Sequence, residues 1–385
     1  MNAVELLQNL IRCPSVTPAE GGALTLLEQV LEPAGFKVDR PVFSDTDTPD
    51  VENLFATIGS GGPHLVFAGH TDVVPTGPES RWTHPPFAAE IDNDVLYGRG
   101  SADMKGGIAC FIAAALDWLK DGPRPGMLSF LITGDEEGPA VNGTVKLLQW
   151  AAERGHRFDA CVVGEPTNTA AIGETIKVGR RGSVSGLITV TGRQGHVAYQ
   201  RLADNPVPRL TGLVHALANA EFDRGNDHFQ PTNLEITSLD VGNPTYNVIP
   251  GEATARFNIR FTDDWTYDSV TERIRSILDE SGAGDYDLSF VRFNSPAFHT
   301  DAGALIDPLV DAIKTVTGLT PKLSTGGGTS DARFIKDYCP VVEFGLNATT
   351  IHQVDERVPI ADIEAVEKIY RAFLGHYFGT SIPAA

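Results

Sequence analysis

The chain has 385 residues, 42% of them hydrophobic and 21% charged, and a formal net charge of −20. That length predicts more than one domain, and the composition is that of a soluble globular protein. The negative balance argues against a nucleic-acid or anionic-membrane partner, which both need basic patches, and no apolar run is long enough to span a bilayer.

Near the start, Val4, Leu7, Leu10 and Ile11 predict a short amphipathic helix stopped at Pro14. The segment has no basic stretch followed by a continuous apolar run, so a signal peptide is not expected and a cytoplasmic location is. The runs at 64–69, 127–133 and 160–164 are short and apolar and end in turn-forming or polar residues, as buried parallel strands do. Between them, 104–120 and 143–155 have helical length and composition. This βαβ rhythm predicts an α/β layered domain. From about residue 182 the pattern changes. Segments 183–192, 233–242 and 252–261 alternate apolar and polar residues, as half-buried antiparallel strands do, with helices near 206–220 and 265–280. After about 296 the first character returns, with helices at 304–318 and 363–378 and a strand at 340–345. The expected organisation is an α/β domain from 1–181 and 296–385, interrupted by an α+β insert at 182–295. The four cysteines, Cys13, Cys110, Cys161 and Cys339, form no CxxC pair. Neither a disulfide framework nor cysteine-held zinc is expected, and Cys110 and Cys161 read as small core residues.

Several motifs stand where such strands end. His70-Thr71-Asp72 follows the first run, and Asp72 is placed to accept a hydrogen bond from the second ring nitrogen of a metal-binding His70. Gly98 to Gly107 surrounds Asp103 with glycines before a helix, and alone Asp103 reads best as the helix N-cap. Asp135-Glu136-Glu137 follows the second run. Three adjacent acids at a buried strand end are costly unless cations or donors balance them. Glu165 follows the third run and His352 the fourth. Together, His70, Asp103, Glu137, Glu165 and His352 offer two imidazoles and three carboxylates. That is too many donors for one tetrahedral zinc, and enough for two if one carboxylate bridges.

The segments HTDVVP (70–75), GRGSADMKGG (98–107), GDEEGPA (134–140), GEPT (164–167) and the late His352 are similar, in order and spacing, to the M20 family of metallopeptidases and amidohydrolases. The resemblance runs over nearly the whole chain. It implies a zinc-peptidase-like catalytic α/β domain with a smaller lid domain through which two subunits form a homodimer. It also implies two Zn2+ per subunit, with Co2+ or Mn2+ as substitutes. Carried onto this sequence, one zinc falls to His70 and Glu165, the other to Glu137 and His352, with Asp103 bridging. Asp72 orients His70, and Glu136 is the general base. His196, in Gly195-His196, matches a lid histidine that reaches the partner subunit's active site and stabilises the oxyanion; by itself it reads as a loop histidine. Glutamate at 165, where aminopeptidases of the family tend to have aspartate, fits deacylases and carboxypeptidases.

The segments 177–183, 247–251, 258–261 and 327–334 further resemble N-acyl amino acid hydrolases of that family. Arg180 and Arg260 can bind carboxylates bidentately, and Ser183, Asn247, Thr329 and Asn347 can add neutral hydrogen bonds, so an anionic small-molecule substrate is expected. Asn347 stands five residues before His352, where the family has four. His64, His84, His156, His215, His228, His299 and His376 are expected to be ordinary histidines without companion acids. The alternatives are a sibling hydrolase of another acyl amino acid or peptide and, in a different class, a non-catalytic binding dimer. The last predicts missing ligands or a missing base.

Overall fold

The computed structural model describes residues 1–122, 125–291 and 294–379, and these divide into two compact units. The first comprises Met1–Val178, Thr300–Ser324 and Ser330–Ala385; the second comprises Gly179–His299 with a short return at Thr325–Thr329.

The first unit is built on an eight-stranded sheet in the order Lys37–Asp39, Leu54–Ser60, Gly126–Thr133, His64–His70, Ala160–Val163, Val341–Glu343, Thr175–Lys177, Lys322–Ser324. The four strands from Gly126–Thr133 to Val341–Glu343 run parallel. The sheet is mixed overall, because Leu54–Ser60 pairs antiparallel with both its neighbours and Thr175–Lys177 pairs antiparallel with Val341–Glu343, though parallel with Lys322–Ser324. The central strand His64–His70 is buried at every position, which is why its sequence is apolar rather than alternating. The helix Lys105–Lys120 packs against Ile360–Tyr377 and Ala3–Ile11. Its first turn lies against the end of the Ala160–Val163 strand: a Cβ on Gly107 would stand 2.1 Å from the Gly164 carbonyl oxygen. Glycine there lets helix and strand end approach closely, and the next residue along the strand is Glu165. No described helix is long and apolar enough to cross a membrane.

The second unit is α+β. Its four-stranded antiparallel sheet has the order Asn233–Asp240, Glu252–Phe261, Gly182–Thr191, Asp287–Phe290. Burial alternates strictly along Glu252–Phe261, as the period-two pattern predicts. The buried face, with Val184, Ile188, Phe257 and Ile259, forms one core with Leu210 and Leu213 of helix Pro206–Ala218 and Val270 and Ile274 of helix Tyr267–Glu280. Those helices supply an apolar stripe at helical spacing, and the strands supply every second residue.

Candidate metal centre

His70 ends its strand with its imidazole 1% exposed. Nδ1 lies 2.8 Å from the backbone carbonyl oxygen of Asp72, an arrangement that keeps the proton of a neutral ring on Nδ1 and turns Nε2 toward the acids. Nε2 stands 3.2 Å from Asp103 Oδ1, 3.7 Å from Glu165 Oε1 and 3.9 Å from Glu136 Oε2. Asp103 turns its other oxygen to His352, 3.4 Å from Nε2, and His352 Nε2 is 2.8 Å from Glu137 Oε1. Three groups thus bring ligand atoms within 4.8 Å of one another: His70 with Asp103 and Glu165, His70 with Glu136 and Glu137, and Asp103 with Glu137 and His352.

Two expectations about the carboxylates change. Asp103 is not a helix cap: the helix Lys105–Lys120 has Met104 at its N-cap and no side-chain cap bond, and both Asp103 oxygens are committed to imidazoles. Asp72 does orient the His70 ring, but through its backbone carbonyl. Its carboxylate is 3.6 Å from Nδ1 and instead accepts the N–H groups of Glu136 (3.3 Å) and Glu137 (3.0 Å). A buried carboxylate takes the strongest donors within reach, and two backbone amides at the strand end are nearer than the ring.

The charges in this cluster do not balance among themselves. Burial is the largest influence on Glu136 and pushes its carboxyl up to about 8; His70 opposes, while Asp331, Glu137 and Asp103 add to the rise. Burial, then the charge of Asp103, raises Glu165 well above the usual carboxylate range. Burial lifts Asp72 to about 6. For His70, burial acts downward but is outweighed by the Asp103 bond and the surrounding carboxylates. Hydrogen bonds to Asp103 and Glu137 push His352 up to about 10. Acids driven to hold protons and imidazoles driven to become cationic mark a site short of positive charge. Nitrogen and carboxylate donors at this spacing fit divalent cations of the zinc, cobalt or manganese kind.

A family model described as Peptidase family M20/M25/M40 matches residues 66–376, a span containing every one of these donors. The chain belongs to this family. As an M20 member it is a metal-dependent hydrolase. Its fold is that of an M20 family metallo-carboxypeptidase from Sulfolobus solfataricus, with a TM-score of 0.80 at 17% identity over 98% of this chain and 99% of that one. It is also similar to a tripeptidase from Staphylococcus aureus, with a TM-score of 0.78 at 18% identity over 98% of both chains. A Bacillus subtilis protein described as a dinuclear metal binding peptidase of the M20 family gives 0.71 at 15% identity, again over 98% of both chains.

The remaining candidates of this M20 member fall in different places. Asn347 lies in the first unit, where its amide donates to the Thr169 carbonyl (3.1 Å) and its oxygen accepts the Thr349 N–H (2.9 Å), so the side chain holds its own turn. Arg180, Ser183, His196, Asn247, Arg260 and Thr329 belong to the second unit. Ser183 and Arg260 are cross-strand partners, and Asn258 joins them, donating to Ser183 Oγ at 3.2 Å and accepting from Arg260 Nε at 2.9 Å. Arg180 is 7% exposed. Burial, then the neighbouring Arg180 charge, lowers the Arg260 pKa, and burial with Arg260 does the same to Arg181. His196 and Asn247 meet at a small bridge: His196 pairs with Val248, and Val197 N–H donates to the Asn247 carbonyl at 3.0 Å. His196 is exposed, with Nδ1 accepting the Ala198 N–H at 3.1 Å.

Sequence reasoning passed over four charged residues. Arg99 and Glu356 form a buried pair beside the centre, and Asp331, 5% exposed, raises Glu136 by its charge. Arg181 joins the arginines of the second unit. Arg99 lies inside the glycine-rich motif, where a charged residue among small ones is itself a signal. One ordinary histidine has acidic company after all: His84 Nδ1 is 2.7 Å from Glu90 Oε2.

Proposed function

We propose that this M20 member is a two-metal amide hydrolase that cleaves N-succinyl-LL-2,6-diaminopimelate to succinate and LL-2,6-diaminopimelate, the succinyl-diaminopimelate desuccinylase step of lysine biosynthesis. The observation that carries the reading is the gathering of Arg180, Arg181 and Arg260 with Ser183 and Asn258 on a chain of net charge −20. Guanidiniums near enough to feel one another's charge on an acidic protein suit a ligand with several carboxylates, and this substrate has them at both ends.

His70 and Glu165 would hold one cation, Glu137 and His352 the other, and Asp103 would be shared between them. Bound there, a pair of divalent cations polarises the amide carbonyl and makes water nucleophilic at neutral pH. The Asp72 carbonyl fixes the His70 tautomer, and the Asp72 carboxylate fixes the backbone of the acidic turn. Glu136, ionised once the cations neutralise its neighbours, takes the proton of the attacking water at its carboxylate and delivers it to the leaving amine nitrogen. The second unit joins two subunits in a homodimer, and His196 of the partner subunit donates to the developing oxyanion. Zinc is the expected metal, with cobalt or manganese as substitutes.

The test is a parallel assay of zinc-loaded protein on N-succinyl-LL-2,6-diaminopimelate, N-acetylornithine and small peptides. The succinylated substrate should lead by at least about tenfold in kcat/KM. A lead for N-acetylornithine assigns the deacetylase sibling, and a lead for peptides assigns a carboxypeptidase. Ligand binding without hydrolysis of any of them assigns a binding dimer.

A further inference from the structure

The buried pair Arg99–Glu356 contributes no donor to the centre, yet it binds the backbone of three segments that do. Glu356 is fully buried. Its Oε1 accepts the N–H groups of Ala102 (2.9 Å) and Asp103 (3.1 Å), and its Oε2 accepts the Gly100 N–H (3.1 Å) and Arg99 Nη1 (2.6 Å). The Glu356 carbonyl accepts the Gly98 N–H at 2.8 Å. Arg99, 2% exposed, also donates from Nη1 to the Gln353 carbonyl (3.2 Å) and from Nη2 to the Pro75 carbonyl (3.3 Å). The bonds therefore end on the loop that finishes at Asp103, on the residue after His352, and on the segment that begins at His70.

A buried ion pair is weak as a source of stability, because apolar residues of similar volume often serve as well. What it supplies is fixed geometry, and the His352 loop needs it. His352 and Asp355 have φ of 60° and 57°, a left-handed conformation that non-glycine residues keep only when their surroundings hold it. The His352 side chain is also 48% exposed, whereas His70 and Glu165 stand at the ends of hydrogen-bonded neighbouring strands.

We infer that Arg99 and Glu356 are positioning residues that set the cation affinity of the Asp103–Glu137–His352 group, and that they act less on the His70–Glu165 side, which shares Asp103 but has its other two donors placed by the sheet. The inference rests on the two-cation reading given above.

The test titrates metal-free wild-type protein, Glu356→Gln, and the double variant Arg99→Met with Glu356→Gln, using Co2+. Stepwise visible absorption and bound cobalt per chain are the readouts, beside kcat and KM. The double variant removes both charges, so that an unpaired Arg99 does not decide the result through folding. Wild type should bind two Co2+. In the variants the second step should weaken by about 10- to 100-fold and the first, through the shared Asp103, by several-fold less. At limiting metal kcat should fall with KM unchanged, and excess Co2+ should restore it. Equal weakening of both steps together with a lower melting temperature makes the pair merely structural and overturns the inference, as does no weakening at all. A wild-type stoichiometry below two overturns the two-cation reading itself, and this inference with it.

Discussion

Asp72 Oδ2 accepts the backbone N–H of Glu137 at 3.0 Å. The segment after one buried strand thereby clamps the acidic turn after its neighbour, and Glu136, the proposed base, sits inside the clamp through a second bond of 3.3 Å from its own N–H. Replacing Asp72 with alanine should lower both metal affinity and kcat/KM by about 10- to 100-fold, the usual cost of removing a group that orients ligands. Metal content after dialysis and initial rates check this. Wild-type values for both would mean that the turn holds its shape without the clamp.

Glu136→Gln keeps size and shape but cannot take a proton. Turnover should fall by about 10²- to 10⁴-fold, the range for a general base, while bound metal per chain stays as in wild type. Elemental analysis of the variant beside its rate separates the two. Near-normal turnover would falsify the base assignment.

Arg260→Met removes a charge-assisted donor from the arginine group of the second unit. If that group binds the acyl or amino-acid carboxylates, kcat/KM for the succinylated substrate should fall by about 10- to 100-fold, equivalent to about 1.5–3 kcal/mol. Discrimination between succinylated and acetylated substrates should shrink with it. A uniform loss on both substrates would place Arg260 on the part they share instead.

Removing metal should destabilise the first unit, since a ligand bound only by the folded state stabilises it. At a free metal concentration 100-fold above Kd the contribution is about 2.7 kcal/mol per site. Chelated protein should therefore melt lower than metal-loaded protein, and added Zn2+ should restore the difference. Identical melting curves would show that these side chains hold no cation.

His64 gives a pH dependence away from the centre. It is 3% exposed, with Nε2 2.7 Å from Ser129 Oγ and Nδ1 3.0 Å from the Arg157 carbonyl. Burial lowers its pKa from 6.5 to about 4; the Arg157 carbonyl opposes this, and His156 adds to it. Between those two values the unfolded chain binds the proton and the folded one does not. Stability is therefore lost as pH falls from about 6.5 toward 4 and levels off below. His64→Gln should remove this component, on the order of 1 kcal/mol between pH 7 and pH 5. Urea midpoints of both proteins at the two pH values test it, and a difference between the proteins that does not change with pH sinks the assignment.

The parts of the molecule legible in the sequence are those whose signal is local. Between its two histidines, His64–His70 is apolar without alternation because both faces are covered, and Glu252–Phe261 alternates because one face is not. His70, Glu137 and Glu165 were visible as donors because each follows such a strand within a few residues. The three-residue strands Lys37–Asp39, Thr175–Lys177 and Lys322–Ser324 are too short to show a period, so the antiparallel pairings of the first two and the parallel pairing of the third had no local trace. The Asp72 carboxylate was given the wrong partner, and Asp103 taken alone looked like a cap although the full donor set had it as a ligand, for a different reason: a short acid can cap, clamp or ligate, and only the three-dimensional supply of donors decides which. Arg99 and Glu356 are 257 positions apart, and nothing near either one announces the other.

The first unit is assembled from separated stretches of chain, Met1–Val178, Thr300–Ser324 and Ser330–Ala385. Synthesis from the ribosome delivers His70, Asp103, Glu136, Glu137 and Glu165 long before the strand Val341–Glu343, His352 and Glu356 exist. Until those arrive, one parallel neighbour of Ala160–Val163 is missing and Asp103 has neither its second imidazole nor the carboxylate that holds its loop. The second unit, contiguous apart from its five-residue return, can close first. Metal loading of the complete centre is thus a late event in the life of the polypeptide, and a chain that stops short of residue 352 is left with a cluster of acids and only half of its imidazoles.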